Sequence, residues 1–574
     1  MKSFFPFPML VITACAVLSV HCGKSDKEKT VEEFKQFLTA FESTYPPLFK
    51  EANLAYFTAT ISGKDEDYAR SAELEVKRSM YFADKERFSK LKAWRESGAI
   101  DDPLLKRQLD VLYFAFLAKQ IDPKKLEEMI RLEKQVEKKF STFRAVIDGK
   151  PWTDNEIEET LKKSTNSEEL RKVWETSKEV GALVAPDVLR LVKLRNEAAR
   201  SLGFANYHAM QLALGEQDPA EIEKLFDELD DLTRIAFGAL KRDIDTYLSK
   251  RLHVPPDQLM PWHYQNRYFQ EAPRIYDVDF DKLYGDKDIV GIAKRYYAGI
   301  GLPIDDMVAK SDLYEKEGKY QHAYCTDIDR EGDVRVVCNI KPSYEWMNTT
   351  LHEYGHAVYS KYIDRSLPWV LREESHTFTT EAVAMLFGRF AAHPAWMVEV
   401  AGIPVSKVNP IAEESRRMLR LEQLVFSRWA QVMYRFEKAM YENPDRDLNS
   451  LWWDLVERYQ LLKRPEGRNA PDWASKIHVA LYPAYYHNYL LGELLASQLY
   501  FHIGKSVLKS TDPLVECFAG RPEVGKYLRE AVFGPGRSLH WTEMIEKATG
   551  EKLTAKYYAM QFVEEKRVME PEKP

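Results

Sequence analysis

The chain has 574 residues, of which 45% are hydrophobic and 30% are charged, and only 25 are glycine. This composition favours a large helical globular protein over a β-sandwich or a disordered chain. The formal net charge of −7 provides no general basic surface, so nucleic acid is not an expected partner. No glycine-rich phosphate-binding motif stands out, which argues against a nucleotide-dependent enzyme.

The N-terminal residues are predicted to direct export. Lys2 precedes an apolar run that ends at Val20 and is short for a membrane span of roughly 20 residues. Small and charged residues follow at Cys22, and this arrangement resembles a bacterial lipoprotein signal in which that cysteine is acylated. We therefore predict lipidation at Cys22 and an exported protein anchored at the bacterial cell envelope; lipidation at Cys15 and plain secretion remain alternatives. The predicted segments are a signal peptide at 1–21 and a tether at 22–30.

Helices are predicted for most of the remaining chain. From about residue 30 to 250, apolar residues recur at positions i, i+3 and i+4 between short polar breaks. Proline and glycine are densest at 254–342, where the β-branched segment Val334–Val337 predicts a short strand. The helical pattern returns from residue 343 onward. No clear linker interrupts the chain, so a single domain over 31–570 is predicted.

Two cysteines flank a polar turn in the middle of the chain. Cys325 precedes and Cys338 follows the acidic segment from Asp327 to Asp333. In an exported protein, such a pair predicts a disulfide. Two buried thiols are the alternative, and no neighbouring cysteine or histidine cluster indicates a metal site there.

A short segment carries most of the chemistry. His352, Glu353 and His356 form an H-E-x-x-H motif. On a helix, residues four apart lie on one face, so both histidines can bind one metal ion. Glu353 can then act as general base beside the metal. Two surface or capping histidines are the alternative, but histidine is rare here, with 13 in 574 residues, so a chance match is improbable.

A catalytic zinc ion usually has three protein ligands and an open position. Asp364 is too close to the motif to lie on a separate returning helix, and Glu373 and Glu374 follow Pro368 in a predicted turn. Glu381 begins a strongly apolar helical segment and can face back towards the first helix. We therefore predict one Zn²⁺ bound by the two motif histidines and Glu381. Its net positive charge would lower the pKa of bound water and polarise a carbonyl group.

Several segments beyond the motif carry a family resemblance. They are Glu51–Thr58, Arg195–Phe204, Leu371–Val383, Trp452–Gln460 and Gly534–Gly550. With the zinc motif, they resemble the angiotensin-converting-enzyme family of zinc dipeptidyl carboxypeptidases, particularly its bacterial relatives, over most of the mature chain. The thimet-type oligopeptidases are a more distant match. The resemblance implies a mainly α, two-lobed helical gluzincin metallopeptidase with a deep central cleft and a very small β element.

A tyrosine-rich segment, Lys476–Tyr489, offers further polar groups for a peptide substrate. On sequence alone it could be an aromatic helix packed in the core, but its phenols, imidazole and ammonium could also stabilise negative charge. The resemblance implies that Lys476 binds the C-terminal carboxylate of the peptide. It also implies that His478 and Tyr489 stabilise the tetrahedral intermediate, with Tyr486 as a rival to Tyr489. Tyr485 or Tyr486 would help to hold the carboxylate.

The sequence departs from the family pattern at four positions. Val456 and Asn488 replace arginines linked to chloride, so chloride activation is not expected. Met385 stands where an acidic partner of the metal ligands is usual, and Asn339 where a substrate-binding histidine is usual. These differences leave strict dipeptidyl specificity open.

The resulting functional prediction is zinc-dependent release of C-terminal dipeptides from short peptides. An oligopeptidase that cuts internally is the alternative within the same class. A lipid-anchored binding protein with a vestigial site is the alternative of another class. The expected associations are short peptides as substrates and the membrane through the lipid anchor, with the protein itself a monomer.

Overall fold

The computed structural model describes residues 25–563, so the predicted signal peptide and Cys22 lie outside the described residues. The N-terminal half contains α1 Asp26–Ser62, α2 Asp65–Phe82, α3 Lys85–Ser97, α4 Pro103–Leu117, α5 Pro123–Thr142, β1 Ala145–Ile147, β2 Lys150–Trp152, α6 Asp154–Lys163, α7 Ser167–Ser177, α8 Glu179–Ser201, α9 Tyr207–Leu214 and α10 Pro219–Leu252.

The rest of the described chain carries the second set of elements. They are α11 Asp281–Tyr284, α12 Ile289–Gly299, α13 Asp305–Val308, β3 Tyr324–Asp327, β4 Val334–Val337, α14 Tyr344–Lys361, α15 Thr377–Gly388, α16 Pro394–Glu399, α17 Val405–Val408, α18 Ala412–Glu442, α19 Leu448–Leu455, α20 Ile477–Leu481, α21 His487–His502, α22 Pro522–Tyr527, α23 Trp541–Thr549 and α24 Lys556–Phe562. The predicted mainly α fold with a very small β element is confirmed, as is the strand at Val334–Val337.

The first helix begins earlier than expected. The Ser25 hydroxyl accepts a hydrogen bond from the Glu28 N–H (3.2 Å), and the Glu28 carboxylate accepts one from the Ser25 N–H (2.8 Å). This capping box satisfies two N–H groups that a helix start would otherwise leave unpaired, and α1 starts at Asp26. Residues 26–30 of the predicted tether are therefore helical, and the tether at 22–30 stays a prediction.

The two largest of the four hydrophobic clusters contain most of the buried apolar side chains of the described residues. The larger one takes buried side chains from Val136 to Phe562. The smaller one joins α1, α3 and α4 to the segment around Trp369, whose ring meets Tyr45 and Phe49 edge-on. Because Trp369 also precedes the α15 segment, the aromatic cluster ties the N-terminal helices to the region of the metal motif.

Three central helices approach each other closely through glycines. A Cβ atom on Gly355 of α14 would lie 2.7 Å from the Ala384 Cα of α15. A Cβ atom on Gly492 of α21 would lie 3.3 Å from the Glu381 Cγ of α15 and 3.2 Å from the Met385 sulfur. The absence of a side chain at these positions lets α14, α15 and α21 pack at short distance and fixes the helices that carry the motif residues.

The register of the small sheet β3–β4 determines how far Cys325 lies from Cys338. Its antiparallel register places Cys325 opposite Val336. Cys338 lies two residues further along, a diagonal position at which Cα atoms are about 7–8 Å apart, whereas disulfides usually span about 4.4–6.8 Å. Both cysteines are free thiols. The predicted Cys325–Cys338 disulfide is therefore wrong in this structure, and the strand register is the reason.

None of the helices within residues 25–563 combines the length and apolar character needed to cross a membrane.

Candidate metal centre and substrate cavity

The three predicted metal ligands come together where α14 faces α15. The Nε2 atoms of His352 and His356 are 3.2 Å apart. The Glu381 carboxylate oxygens lie 3.5 Å from the His352 Nε2 and 3.4 Å from the His356 Nε2. One turn of α14 and the second turn of α15 therefore aim three donor atoms at one point.

The donor set fits a zinc ion by both chemistry and spacing. Two imidazoles and one carboxylate are a usual catalytic zinc set, with bonds of about 2.0–2.2 Å in tetrahedral geometry. Such bonds place neighbouring donors about 3.3–3.6 Å apart, since a tetrahedral edge is about 1.6 times the bond length. The separation of the two imidazole nitrogens, 3.2 Å, is slightly below this range, and the separations of 3.5 and 3.4 Å to the two Glu381 oxygens lie within it.

The acids that were weighed against Glu381 as third ligand lie outside the triad. The Asp364 carboxylate accepts a hydrogen bond from the Ser366 N–H, close to its own position in the chain. Glu373 forms ion pairs with Arg330 and Arg537 instead. Of the acids considered, Glu381, near the start of the apolar helix, is therefore the one that groups with His352 and His356.

The surroundings of the triad include a residue that the sequence analysis missed. The Thr380 hydroxyl lies 2.9 Å from the His356 Nδ1 and can fix the orientation of that ring. The signal was a threonine directly before the predicted carboxylate ligand. Met385, where an acidic partner was expected, instead packs against Gly492 of α21.

The predicted general base lies beside the triad in a shielded position. Glu353 is only 7% exposed and lines the same cavity as the ligands. Burial is the main cause that raises its pKa to about 7; His356 opposes this shift and Glu381 adds to it. A carboxyl group with such a pKa is suited to exchange protons near neutral pH.

The triad opens into a cavity of about 690 Å³. Its walls come from α1, strand β3, α14, α15 and the tyrosine-rich segment. The lining includes Phe49, Asn53, every residue from Ala323 to Asp327, Arg330, Glu373, Glu374, Tyr485 and Tyr489. Because all four residues of β3 and the preceding Ala323 line the cavity, one edge of that strand faces it.

The structure separates the tyrosines that the sequence left as rivals. Tyr489 and Tyr485 line the metal cavity, and burial raises the pKa of Tyr489 to about 12. Tyr486 is buried, and its hydroxyl accepts a hydrogen bond from the Trp429 indole N–H (2.7 Å). Its ring contacts that of Tyr489, with centroids 5.4 Å apart. Tyr489 is therefore the tyrosine nearer the triad, and Tyr486 lies behind it.

Lys476 occupies an aromatic cradle next to Tyr486. Its Nζ lies 5.2, 5.7 and 5.9 Å from the ring centroids of Tyr268, Trp429 and Tyr486, and it donates a hydrogen bond to the Gln270 side-chain oxygen at 2.5 Å. No carboxylate within residues 25–563 forms an ion pair with it. Burial lowers its pKa to about 8. Gln270 was not singled out from the sequence, because only the folded chain brings it to Lys476.

Two further predicted positions lie outside the metal cavity lining. His478 packs between the rings of Tyr482 and Tyr486, both with centroids at 5.3 Å, and burial lowers its pKa to about 4. Its Nδ1 is buried without a hydrogen-bond partner. Asn339 is buried and donates to the carbonyls of Tyr320 and Gln321, so it supports the start of β3 rather than facing a substrate.

Comparisons with known proteins also indicate a peptidase. The sequence model of a peptidase family described as angiotensin-converting enzyme matches residues 28–564. An angiotensin-converting enzyme of Haematobia irritans exigua is 22% identical over 96% of this chain and 96% of its own length. An inactive angiotensin-converting enzyme-related protein of Caenorhabditis elegans is 20% identical over 69% of this chain and 48% of its own. Thermostable carboxypeptidase 1 of Pyrococcus furiosus is 25% identical over 43% of this chain and 52% of its own.

Proposed function

Because the chain belongs to the angiotensin-converting enzyme family of peptidases, we propose that it is a zinc-dependent peptidyl-dipeptidase, which releases C-terminal dipeptides from short peptides. The observation that carries the proposal is the triad of His352, His356 and Glu381 with Glu353 in the same cavity. The protein is a hydrolase by this assignment, with one Zn²⁺ per chain.

The residues divide the work of hydrolysis between them. His352, His356 and Glu381 would hold the ion, which when bound supplies a Lewis acid that polarises the scissile carbonyl and lowers the pKa of water. Glu353 accepts the proton of the attacking water and delivers it to the leaving amine. Tyr489, in the cavity wall, donates a hydrogen bond to the carbonyl oxygen as negative charge develops on it. His478 is the second proposed donor.

The free edge of β3 gives the peptide backbone a place to bind. Asn53 donates to the Asp327 carbonyl, which therefore points away from β4. On β4, the Val336 carbonyl accepts from the Asp312 N–H, so it points away from β3. Cys325 and Val336 thus form a non-hydrogen-bonded pair, and the Cys325 N–H and C=O face outward on the cavity side. We propose that the substrate backbone adds to this edge as an extended strand.

The C-terminal end of the peptide is assigned to Lys476. Its ammonium group is buried among aromatic rings and has a neutral amide as its hydrogen-bond partner, so a substrate carboxylate would supply the missing negative charge. The neighbouring Tyr486 and Gln270 can add hydrogen bonds to the same carboxylate. Tyr489 lines the metal cavity and its ring contacts that of Tyr486, which supports a scissile bond upstream of the anchored carboxylate.

One experiment tests the reaction and its position on the peptide. The purified protein with zinc is given a set of pentapeptides, each as the free acid and as the C-terminal amide, and the products are identified by mass spectrometry. We expect release of the C-terminal dipeptide from the free acids, at least tenfold slower cleavage of the amides, and loss of activity with a chelator. Cleavage of both forms at internal bonds would establish an oligopeptidase instead.

A matched variant separates catalysis from metal binding. Glu353→Gln removes the base while the three ligands remain, so it should bind zinc and lose most peptidase activity. Full activity in this variant would overturn the mechanism. Zinc binding without turnover of any peptide by the parent protein would instead favour a non-catalytic binding protein; the Caenorhabditis elegans relative is named as inactive.

The carboxypeptidase relatives favour a second candidate, release of a single C-terminal residue. The same product masses decide between the two, because the released product would contain one residue in a carboxypeptidase and two in a peptidyl-dipeptidase.

For the N-terminus, we propose lipidation at Cys22 and residence at the bacterial cell envelope. Cys22→Ser should then move the protein from the membrane fraction to the soluble exported fraction.

A further inference from the structure

Two adjacent glutamates line the metal cavity but have different surroundings. Glu373 receives Arg330 (2.7 Å) and Arg537 (3.1 Å) on its two carboxylate oxygens. Burial alone would raise the pKa of Glu373, but the two guanidinium groups outweigh burial and hold it below its usual value. The charge of Glu373 is therefore already neutralised within the protein.

Glu374 has no such partner. No side chain of residues 25–563 forms a hydrogen bond or an ion pair with its carboxylate. The carboxylate accepts a hydrogen bond only from the backbone N–H of Glu374 itself. Its side chain is set into the protein, yet it lines the cavity beside the triad. Burial and the neighbouring Glu373 raise its pKa. A carboxylate in this position lacks a positively charged partner that a ligand could provide.

The other charged side chains in the cavity wall are already committed. Arg330 binds Glu373 and stacks on the Phe49 and Trp369 rings. Arg372 binds Glu331. The Asp327 carboxylate accepts the Arg330 N–H at 2.8 Å. Apart from the groups assigned to the metal and to catalysis, Asp327 and Glu374 are thus the carboxylates of residues 25–563 that line the cavity without an ion pair. Asp327 accepts the backbone N–H groups of Asp329 and Arg330, whereas Glu374 has no donor from another residue.

A series of ring contacts orders the site from Lys476 to Glu374. The rings of Tyr486 and Tyr489 are 5.4 Å apart, and those of Tyr489 and Tyr485 are 5.3 Å apart. Lys476 lies over Tyr486 at one end of this series. At the other end, Tyr485 and Glu374 line the same cavity. A peptide whose carboxylate binds Lys476 therefore directs its upstream residues towards Glu374.

We propose that Glu374 forms a cation subsite upstream of the scissile bond, which selects peptides that carry a positive group there. This inference rests on the proposed peptidase function. The group is either the α-ammonium of a short peptide or the side chain of lysine or arginine, since both supply charged N–H donors. The ion pair would be formed in a partly desolvated cavity, where charge-assisted hydrogen bonds are stronger than at the open surface.

The test compares matched peptides on Glu374→Gln and the parent protein. In one arm, a pentapeptide with norleucine upstream of the scissile bond is used with a free or an acetylated N-terminus. In the other arm, acetylated pentapeptides carry lysine or norleucine at each of the three positions upstream. For the parent, kcat/KM should favour the charged member of a pair about tenfold in at least one arm. Glu374→Gln should reduce that ratio to within about twofold of unity.

The ratio of two substrates on one protein sample does not depend on how much of a variant is folded. Glu374→Ala provides a second variant with the same expected loss of preference. Glu546→Gln, an exposed glutamate on α23, is the control and should keep the parental ratio. Equal kcat/KM for charged and neutral peptides in the parent, or an unchanged ratio in both Glu374 variants, would overturn the subsite. If instead the parent protein with zinc cleaves neither the charged nor the neutral member of any pair, the peptidase function itself fails.

Discussion

At the scale of single residues, the buried ammonium of Lys476 predicts how peptide cleavage depends on pH. Burial lowers the pKa of Lys476 to about 8, so the free protein loses this positive charge as the pH rises through that value. A substrate carboxylate binds only the charged form. We therefore expect kcat/KM for free-acid peptides to fall above about pH 8, which a pH–rate profile measures.

The control for this residue is Lys476→Arg. A guanidinium group stays protonated throughout the accessible range, so the alkaline fall should move to higher pH even if the absolute rate is lower. The same alkaline fall in both proteins would contradict the assignment, because another group would then be titrating.

The sequence was enough to predict the metal ligands, but not the contacts that surround them and Lys476. The H-E-x-x-H spacing and the apolar helix after Glu381 were sufficient to predict the triad, since both depend on local helical geometry. Gln270 and Thr380 could not be assigned in the same way, because their partners Lys476 and His356 are brought to them by the fold. Glu374 was weighed only as a metal ligand, because its lack of a partner is a property of the folded cavity.

At the scale of elements, the close packing of α14 on α15 predicts the effect of enlarging Gly355. The Cβ atom of alanine would lie 2.7 Å from the Ala384 Cα, a backbone atom that can move only with its helix. Gly355→Ala should therefore destabilise the protein by about 1–3 kcal/mol and displace the metal ligands of the two helices. Denaturant unfolding and zinc affinity measure the two effects.

Gly238 of α10 provides the matched control. An added Cβ atom there would meet only the Arg242 side chain, at 4.0 Å, so alanine should be neutral or stabilise by up to about 1 kcal/mol through its helix propensity. Equal stability of the two variants would contradict the packing argument.

The helices were easier to predict than the sheet. Apolar spacing and end signals predict helices locally, whereas the pairing of Cys325 with Val336 depends on the register of two short strands across a turn. The predicted disulfide was wrong for that reason. The start of α1 at Asp26 depends on a local signal, the Ser25 capping box, which lies inside the segment predicted as a tether.

At the scale of the whole molecule, one ion would connect α14 and α15, which both contribute buried side chains to the larger hydrophobic cluster. The buried side chains of this cluster come from Val136 to Phe562, which is compatible with the single domain predicted over 31–570. Metal binding between two helices of this cluster should stabilise most of the fold as one cooperative unit rather than a local segment.

The corresponding prediction concerns thermal unfolding with and without zinc. A ligand that binds only the folded state stabilises it by about 2.7 kcal/mol at a free concentration of one hundred times Kd, so zinc should raise Tm and a chelator should lower it. Glu353→Gln should keep this increase in Tm while losing activity, because it retains the three donors. His352→Ala should lose both, since two donors no longer complete the site. An increase in Tm that survives in His352→Ala would place the stabilising zinc elsewhere, and the triad would then no longer account for metal binding.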